Sequence, residues 1–183
     1  MNQQIFWSNL SWALGEKTYE SIEDLDIPSH VPTFLLYNTN DLCLNEEQFN
    51  ALIESIGPTE KIYVAQNYPE EIREFDFPLS YSDYQSQYLL PMTYLTSNKF
   101  DWLVIIDEAL ESGVGVLLAK SDAIIDNYSS RYKNGIKDIQ NLIEFHYRDA
   151  SRNPYAMDNL ITILSLWHGS RTGDSSICEI VPR

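Results

Sequence analysis

The sequence predicts an α/β (α+β) fold, in which a single domain is built on a central mixed β-sheet with helices on its faces. Three observations predict it. Residues 102–106 are consecutive apolar side chains rich in β-branched types, the pattern of a strand covered on both faces. Residues 114–119 repeat that pattern after a polar, glycine-closed turn, so the two runs (about 102–107 and 114–119) read as a buried antiparallel hairpin. Four stretches with helical spacing of apolar residues, at about 46–56, 122–133, 136–148 and 154–168, supply the cover. A chain of 183 residues fits one domain, 1–183, and buries roughly two-thirds of its unfolded surface without staples.

Taken in order, residues 2–14 carry Phe6, Leu10 and Leu14 at amphipathic spacing, either a short helix or an irregular arm docking Trp7 and Trp12. Residues 21–25 form at most one helical turn before Pro28. Residues 33–37, between Pro32 and a polar Asn-Thr-Asn-Asp run, read as a buried strand. Asn45 and Gln48 form a capping box ahead of Phe49, Leu52, Ile53 and Ile56, and Gly57-Pro58 ends that helix. Residues 61–65 are a second strand, so 33–65 reads as strand, helix, strand, compatible with a parallel crossover. From 66 to 98 aromatics accumulate and Pro69, Pro78 and Pro91 divide the chain into short pieces, some of them edge strands. Ser121 caps the helix that follows the hairpin and Asn134-Gly135 stops it. Asn153-Pro154 opens the last helix, and the tail ends on an apolar run, 177–181, with the look of an edge strand.

Composition removes several classes. With 44% hydrophobic and 13% aromatic residues the chain is globular. Cys43 and Cys178 show neither a CxxC pair nor metal-ligand spacing, so the reading has no disulfide framework, no structural metal and no cofactor. The N-terminus lacks a basic leader region, and no apolar run approaches the roughly 18 residues that span a bilayer, which predicts a cytoplasmic protein without membrane contact. The net charge of −15 is unevenly placed: residues 1–111 hold 19 acidic against 4 basic side chains, and residues 112–183 hold 8 against 8. Direct nucleic-acid binding needs clustered Lys and Arg, which are missing. An acidic surface serves solubility, or it meets a basic protein partner and speeds its capture.

Catalytic signals are weak. No GxSxG is present, and the Ser112-Gly113-Val114-Gly115 stretch runs into a strand, so hairpin geometry accounts for its glycines. His30, His146 and His168 read as structural. Asp107-Glu108 at the end of a buried strand, with Lys120 at the far end of its partner, resembles a metal-dependent nuclease arrangement, but Leu118 stands where a second ligand belongs. No general acid, base or nucleophile is assigned, and the chain is read as a binding protein.

The combination of Asp101-Trp102 entering a buried strand, an acidic turn, and a glycine-containing second strand from Gly113 to Ala119, in an acidic chain of this length, resembles bacterial immunity proteins. These are cytoplasmic inhibitors encoded with polymorphic or contact-dependent growth inhibition toxins, and the resemblance covers about residues 95–125. It implies tight binding to one cognate protein toxin, often a basic nuclease. The acidic, tyrosine-rich middle then supplies the candidate contact residues Glu70, Glu71, Glu74, Asp76, Tyr81, Asp83 and Tyr84, with Asp107, Glu108 and Glu111 from the hairpin loop. The alternatives are a metal-dependent hydrolase or nuclease-like enzyme using Asp107 and Glu108, and a self-assembling adaptor subunit.

Overall fold

Six strands form one sheet in the order β1-β6-β5-β4-β2-β3, and every neighbouring pair is antiparallel. The structure, a computed structural model, describes residues 2–15, 22–28, 30–38, 44–67, 70–86, 92–107, 113–149, 151, 153 and 155–168. The strands are β1 (Thr33–Asn38), β2 (Lys61–Asn67), β3 (Glu70–Asp76), β4 (Met92–Ser97), β5 (Trp102–Asp107) and β6 (Gly113–Ala119). The helices are α1 (Gln3–Asn9), α2 (Ser11–Leu14), α3 (Glu46–Ser55), α4 (Tyr81–Gln85), α5 (Asp122–Arg131), α6 (Gly135–Asp149) and α7 (Ala156–His168), with a 3₁₀ turn at Ile22–Asp24.

The central hairpin pairs as its pattern predicts, from Trp102 opposite Ala119 to Asp107 opposite Val114. The mixed sheet is corrected. β1 and β2 do run in the same sense, but β6, β5 and β4 lie between them, so no parallel ladder forms. The physical reason lies in the proline-divided stretch after β2: it contributes β3 and β4, which pair antiparallel with the two sides of β2 and leave no place for β1. α3 therefore carries the chain across the sheet instead of between adjacent strands.

Strand alternation sends successive side chains to opposite faces, and helices cover both. On one face Phe34, Leu36, Val64, Leu95, Val104 and Leu117 pack with Phe49 and Leu52 of α3, Tyr84 of α4, and Ile125 and Tyr128 of α5. On the other, Leu35, Tyr63, Tyr94, Ile105, Val116 and Leu118 pack with Phe6 and Leu10 of the N-terminal segment, Leu142 of α6, and Leu160 and Ile163 of α7. This double cover explains the unbroken apolar runs of β5 and β6, because an antiparallel strand alternates with polar residues only when one face is wet. The N-terminal segment is helical, and Phe6 stacks edge-on against Trp7, Tyr63 and Phe100. Gly115 has a tertiary cause that hairpin geometry does not supply. A Cβ there would lie 2.8 Å from the Ile105 carbonyl oxygen, a backbone atom of the neighbouring strand.

Helix ends follow local chemistry. The Asn45 side chain accepts from Gln48 N at 2.8 Å while Asn45 N donates to Gln48 Oε1 at 3.1 Å, the predicted capping box. Ser121 caps α5 through Ala123 N. α5 stops earlier than the predicted 133, because Tyr132 turns extended (φ −92°, ψ 104°). The expected strand at 177–181 lies outside the described residues. Among those described, no helix is long and apolar enough to cross a membrane.

Candidate functional site

The candidate contact residues fall on three elements and do not form one flat patch. In β3 the register sets Glu74 opposite Tyr63 and Asp76 opposite Lys61, with Glu71 opposite Gln66. Alternation then places Glu74 and Asp76 on one side of the sheet and Glu71 and Arg73 on the other. Each of these carboxylates has a cation beside it. Lys61 Nζ lies 2.7 Å from Asp76 and 3.3 Å from Glu74, and Arg73 Nε lies 2.7 Å from Glu71. The Lys61 ammonium holds the Asp76 carboxyl below its ordinary range, the Arg73 guanidinium does the same for Glu71, and hydrogen bonds to Asp76 and Glu74 raise Lys61. Because these pairs are solvent-exposed, they set local charge more than stability. Glu70 belongs to β3, but its side chain lies outside the described residues.

α4 begins at Ser80, whose hydroxyl accepts from Asp83 N at 3.1 Å and donates to the Asp83 carboxylate, so Asp83 stands exposed at a helix start. Tyr81 is half-buried against Phe49 and accepts from Gln85 Nε2. Two candidates belong to the interior. Tyr84 is 4% exposed, stacks on Phe49 at 4.8 Å and accepts from Leu44 N through its hydroxyl. Asp107 is fully buried, and its Oδ2 accepts from Ile22 N at 2.8 Å. The correction has a common cause: the covering helices and the 3₁₀ turn seal faces that local composition made look like surface. Glu108 and Glu111 lie outside the described residues. Lys120 sits at the opposite end of the β5–β6 hairpin from Asp107, its ammonium 5.5 Å from the centre of the Trp12 ring. Among the described residues, no group of three or more His, Cys, Asp or Glu is placed to hold a metal ion.

Two polar features were not foreseen. Where α3, α5 and α6 meet, the Tyr132 hydroxyl donates to Asp138 Oδ2, and Gln48 Nε2 lies 3.4 Å from the same oxygen and 2.9 Å from the Tyr37 carbonyl. Burial pushes the Asp138 carboxyl up to about 6, against the pull of the Tyr132 and Gln48 donors, with the Glu47 charge adding to the rise. Glu47 itself accepts from Asn134 Nδ2 through both oxygens at 3.0 Å. This arrangement moves the Asp138 titration toward neutrality and joins three helices to the β1 edge. The second feature is His146 on α6, 5% exposed, with no well-formed hydrogen bond at either ring nitrogen among the described residues. Burial lowers its imidazole below the ordinary value, while the Ala156 backbone and the Asp149 charge act in the opposite direction. A capping residue and a first-turn acid were visible in the sequence. Their convergence depends on where α3 lies as it crosses the sheet to the non-adjacent β2, which was not.

Comparison of the chain with protein-family models, curated proteins and solved structures gives no match.

Proposed function

We propose that this chain is an immunity-type inhibitor, acting in the bacterial cytoplasm, which captures one basic cognate toxin through carboxylates displayed around α3, β3 and α4. The observation that carries the reading is the confinement of the whole charge excess to residues 1–111. That stretch contributes exposed carboxylates at Glu46, Glu47, Glu54, Glu60, Glu74, Asp76 and Asp83. Among the described residues, Lys61, Arg73 and Arg131 pair with members of this region, through Asp76 and Glu74, Glu71, and Glu54 respectively, and they leave the local balance acidic. Such a surface attracts a basic protein at long range and raises its association rate. Tyr81, half-buried beside Asp83, supplies an amphipathic ring of the kind that anchors interfaces. Tyr84 and Asp107 are omitted from this surface on the ground of their burial.

The test is co-purification of the tagged full chain with the product of the adjacent reading frame, at low and high salt. A stoichiometric basic partner whose toxicity is suppressed on binding supports the reading. Reversing Glu71, Glu74 and Asp76 together to lysine then slows association by about tenfold or more and flattens its salt dependence. A partner that associates with the triple variant at the wild-type rate, with the same salt dependence, places contact elsewhere and sinks the acidic-surface mechanism.

A further inference from the structure

The two edges of the sheet are finished differently. Ala119 N donates to the Pro32 carbonyl, which continues the β1–β6 ladder and fixes its phase. The backbone groups of Phe34 and Leu36 therefore face β6, while those of Thr33, Leu35 and Tyr37 face outward. Gln48 Nε2 satisfies the outward Tyr37 carbonyl, and α6 and α7 pack on β1. At the other edge, Phe77 N donates to the Glu60 carbonyl and Asn98 N to the Lys61 carbonyl. These bonds agree on one phase: β2 turns Ile62, Val64 and Gln66 toward β3, and Lys61, Tyr63 and Ala65 toward β4. The backbone N–H and C=O groups of Glu70, Ile72, Glu74 and Asp76 consequently point away from the sheet. Among the described residues, no backbone hydrogen bond outside the ladders reaches them, and β2 is the element with which β3 makes extended contact.

We infer that the outer edge of β3 (Glu70–Asp76) is a strand-addition site for an extended, basic segment of a partner protein, which pairs as a seventh strand. An open row of alternating donors and acceptors is the main-chain half of such recognition, and side chains beside it set specificity. The occupant's charge follows from β3, whose sequence EEIREFD carries four carboxylates and one arginine. On the side of the sheet that carries Glu74 and Asp76, Lys61 of β2 flanks them from within, so an incoming lysine or arginine flanks them from without. Opposite charges across strands stabilise pairing and like charges oppose it. A second copy, which would bring another acidic β3 to this edge, is thereby disfavoured. The inference rests on the inhibitor reading only for the identity of the partner.

The experiment uses the full chain and a short labelled peptide of alternating lysine and valine, with a glutamate-for-lysine counterpart as control. Binding is followed by fluorescence anisotropy and by amide hydrogen exchange. The lysine peptide is expected to bind saturably, roughly tenfold or more tighter than the glutamate peptide. It should slow exchange of the outward amides of Ile72, Glu74 and Asp76, about tenfold or more. Glu74→Pro removes an outward N–H at a position where an edge strand tolerates proline, and should abolish binding and protection. Glu74→Gln keeps the N–H and should retain both. Absence of saturable binding, protection located elsewhere, or equal binding by Glu74→Pro overturns the inference. So does protection of these amides in the unliganded chain that disappears on deleting residues 177–183, or a dimer that Glu74→Pro dissolves, since either names a different occupant. If the adjacent-frame product is captured equally well by Glu74→Pro, strand addition falls and the inhibitor reading stands. If the peptide binds at β3 and no toxin is captured, the reverse holds.

Discussion

Asp138 offers the sharpest test of the polar junction between α3, α5 and α6, and Asp138→Asn is the perturbation. The variant keeps an oxygen that accepts from the Tyr132 hydroxyl and Gln48 Nε2, and it removes the charge. A carboxyl whose native value lies above its unfolded value binds more protons in the folded chain, so stability falls as pH rises between 3.8 and about 6 and stays lower above that window. The gap between 3.8 and about 6 corresponds to roughly 3 kcal/mol at about 1.36 kcal/mol per pH unit. Because the side chain is only partly buried, solvent screening reduces this to about 1.5 kcal/mol. In urea denaturation followed by circular dichroism, with a slope of about 2 kcal/mol per molar, the variant's midpoint should rise by about 0.7 M near pH 8. The gain should vanish below the window, where Asp138 is protonated in both states. Equal midpoint changes at both ends would refute the reasoning by showing no dependence on ionisation, and a loss near neutrality would refute it by showing that the anion is a net stabiliser through its Tyr132 hydrogen bond. Tyr132→Phe gives the converse check: without that donor, the descending limb of the wild-type stability profile should move to higher pH.

Three further predictions concern the core. Asp107→Ala leaves the buried Ile22 amide without its acceptor and should cost about 1–3 kcal/mol in chemical denaturation, with Asp107→Asn costing less; an alanine variant as stable as wild type would remove the structural role. Gly115→Ala puts a methyl 2.8 Å from the Ile105 carbonyl oxygen and should lose about 1–3 kcal/mol, read as a lowered melting temperature, whereas an unchanged melting temperature would mean that β5 and β6 separate at no cost. His146, its imidazole lowered from 6.5 by burial, confers stability that is complete above 6.5 and declines as pH falls through that value toward its native one. His146→Phe, compared in an Asp138→Asn background to remove the opposing titration, should flatten this acid limb; parallel profiles with and without the histidine would contradict it.

What was legible in the sequence is what depends on near neighbours. The capping box at Asn45 and Gln48, the β5–β6 hairpin and the Ser121 cap of α5 are set within a few residues, and the structure contains them, whereas the expected stop at Asn134-Gly135 is not used: α5 is capped at Tyr132, and Gly135 opens α6. The fully antiparallel sheet was hidden because β3 and β4 come from a stretch broken by prolines, where alternation is masked: Glu71, Arg73 and Phe75 share one face, and Ile72, Glu74 and Asp76 the other. With charged and apolar residues on both faces, the usual two-residue period carries little signal. Burial of Tyr84 was equally hidden, since a tyrosine in a short polar helix looks exposed until Phe49, remote in sequence, is found beneath it. Asp107 looked like a loop acid because its partner, the Ile22 amide, is 85 residues away.

The contrast between the sheet edges also bears on why the acidic excess is confined to part of the chain. Both outer strands, β1 and β3, belong to the acidic stretch, yet β1 is almost uncharged and buried along its length while β3 is mostly charged. The difference tracks what each edge meets. β1 lies under α6 and α7 and receives Gln48 Nε2, and its side chains are buried along its whole length. β3 faces outward, and there its charges work in two ways at once: they deter pairing with another copy of the same acidic strand, and they favour a strand of opposite sign. A requirement for solubility alone would be met by carboxylates scattered over any exposed helix. Carboxylates interleaved with Arg73 along an open backbone edge, at Glu71, Glu74 and Asp76, with Lys61 of β2 behind them, instead define a register as well as a charge. Register is the property that separates a specific contact from general electrostatic attraction, which is why the substitution that removes one outward N–H is more informative than any reversal of charge.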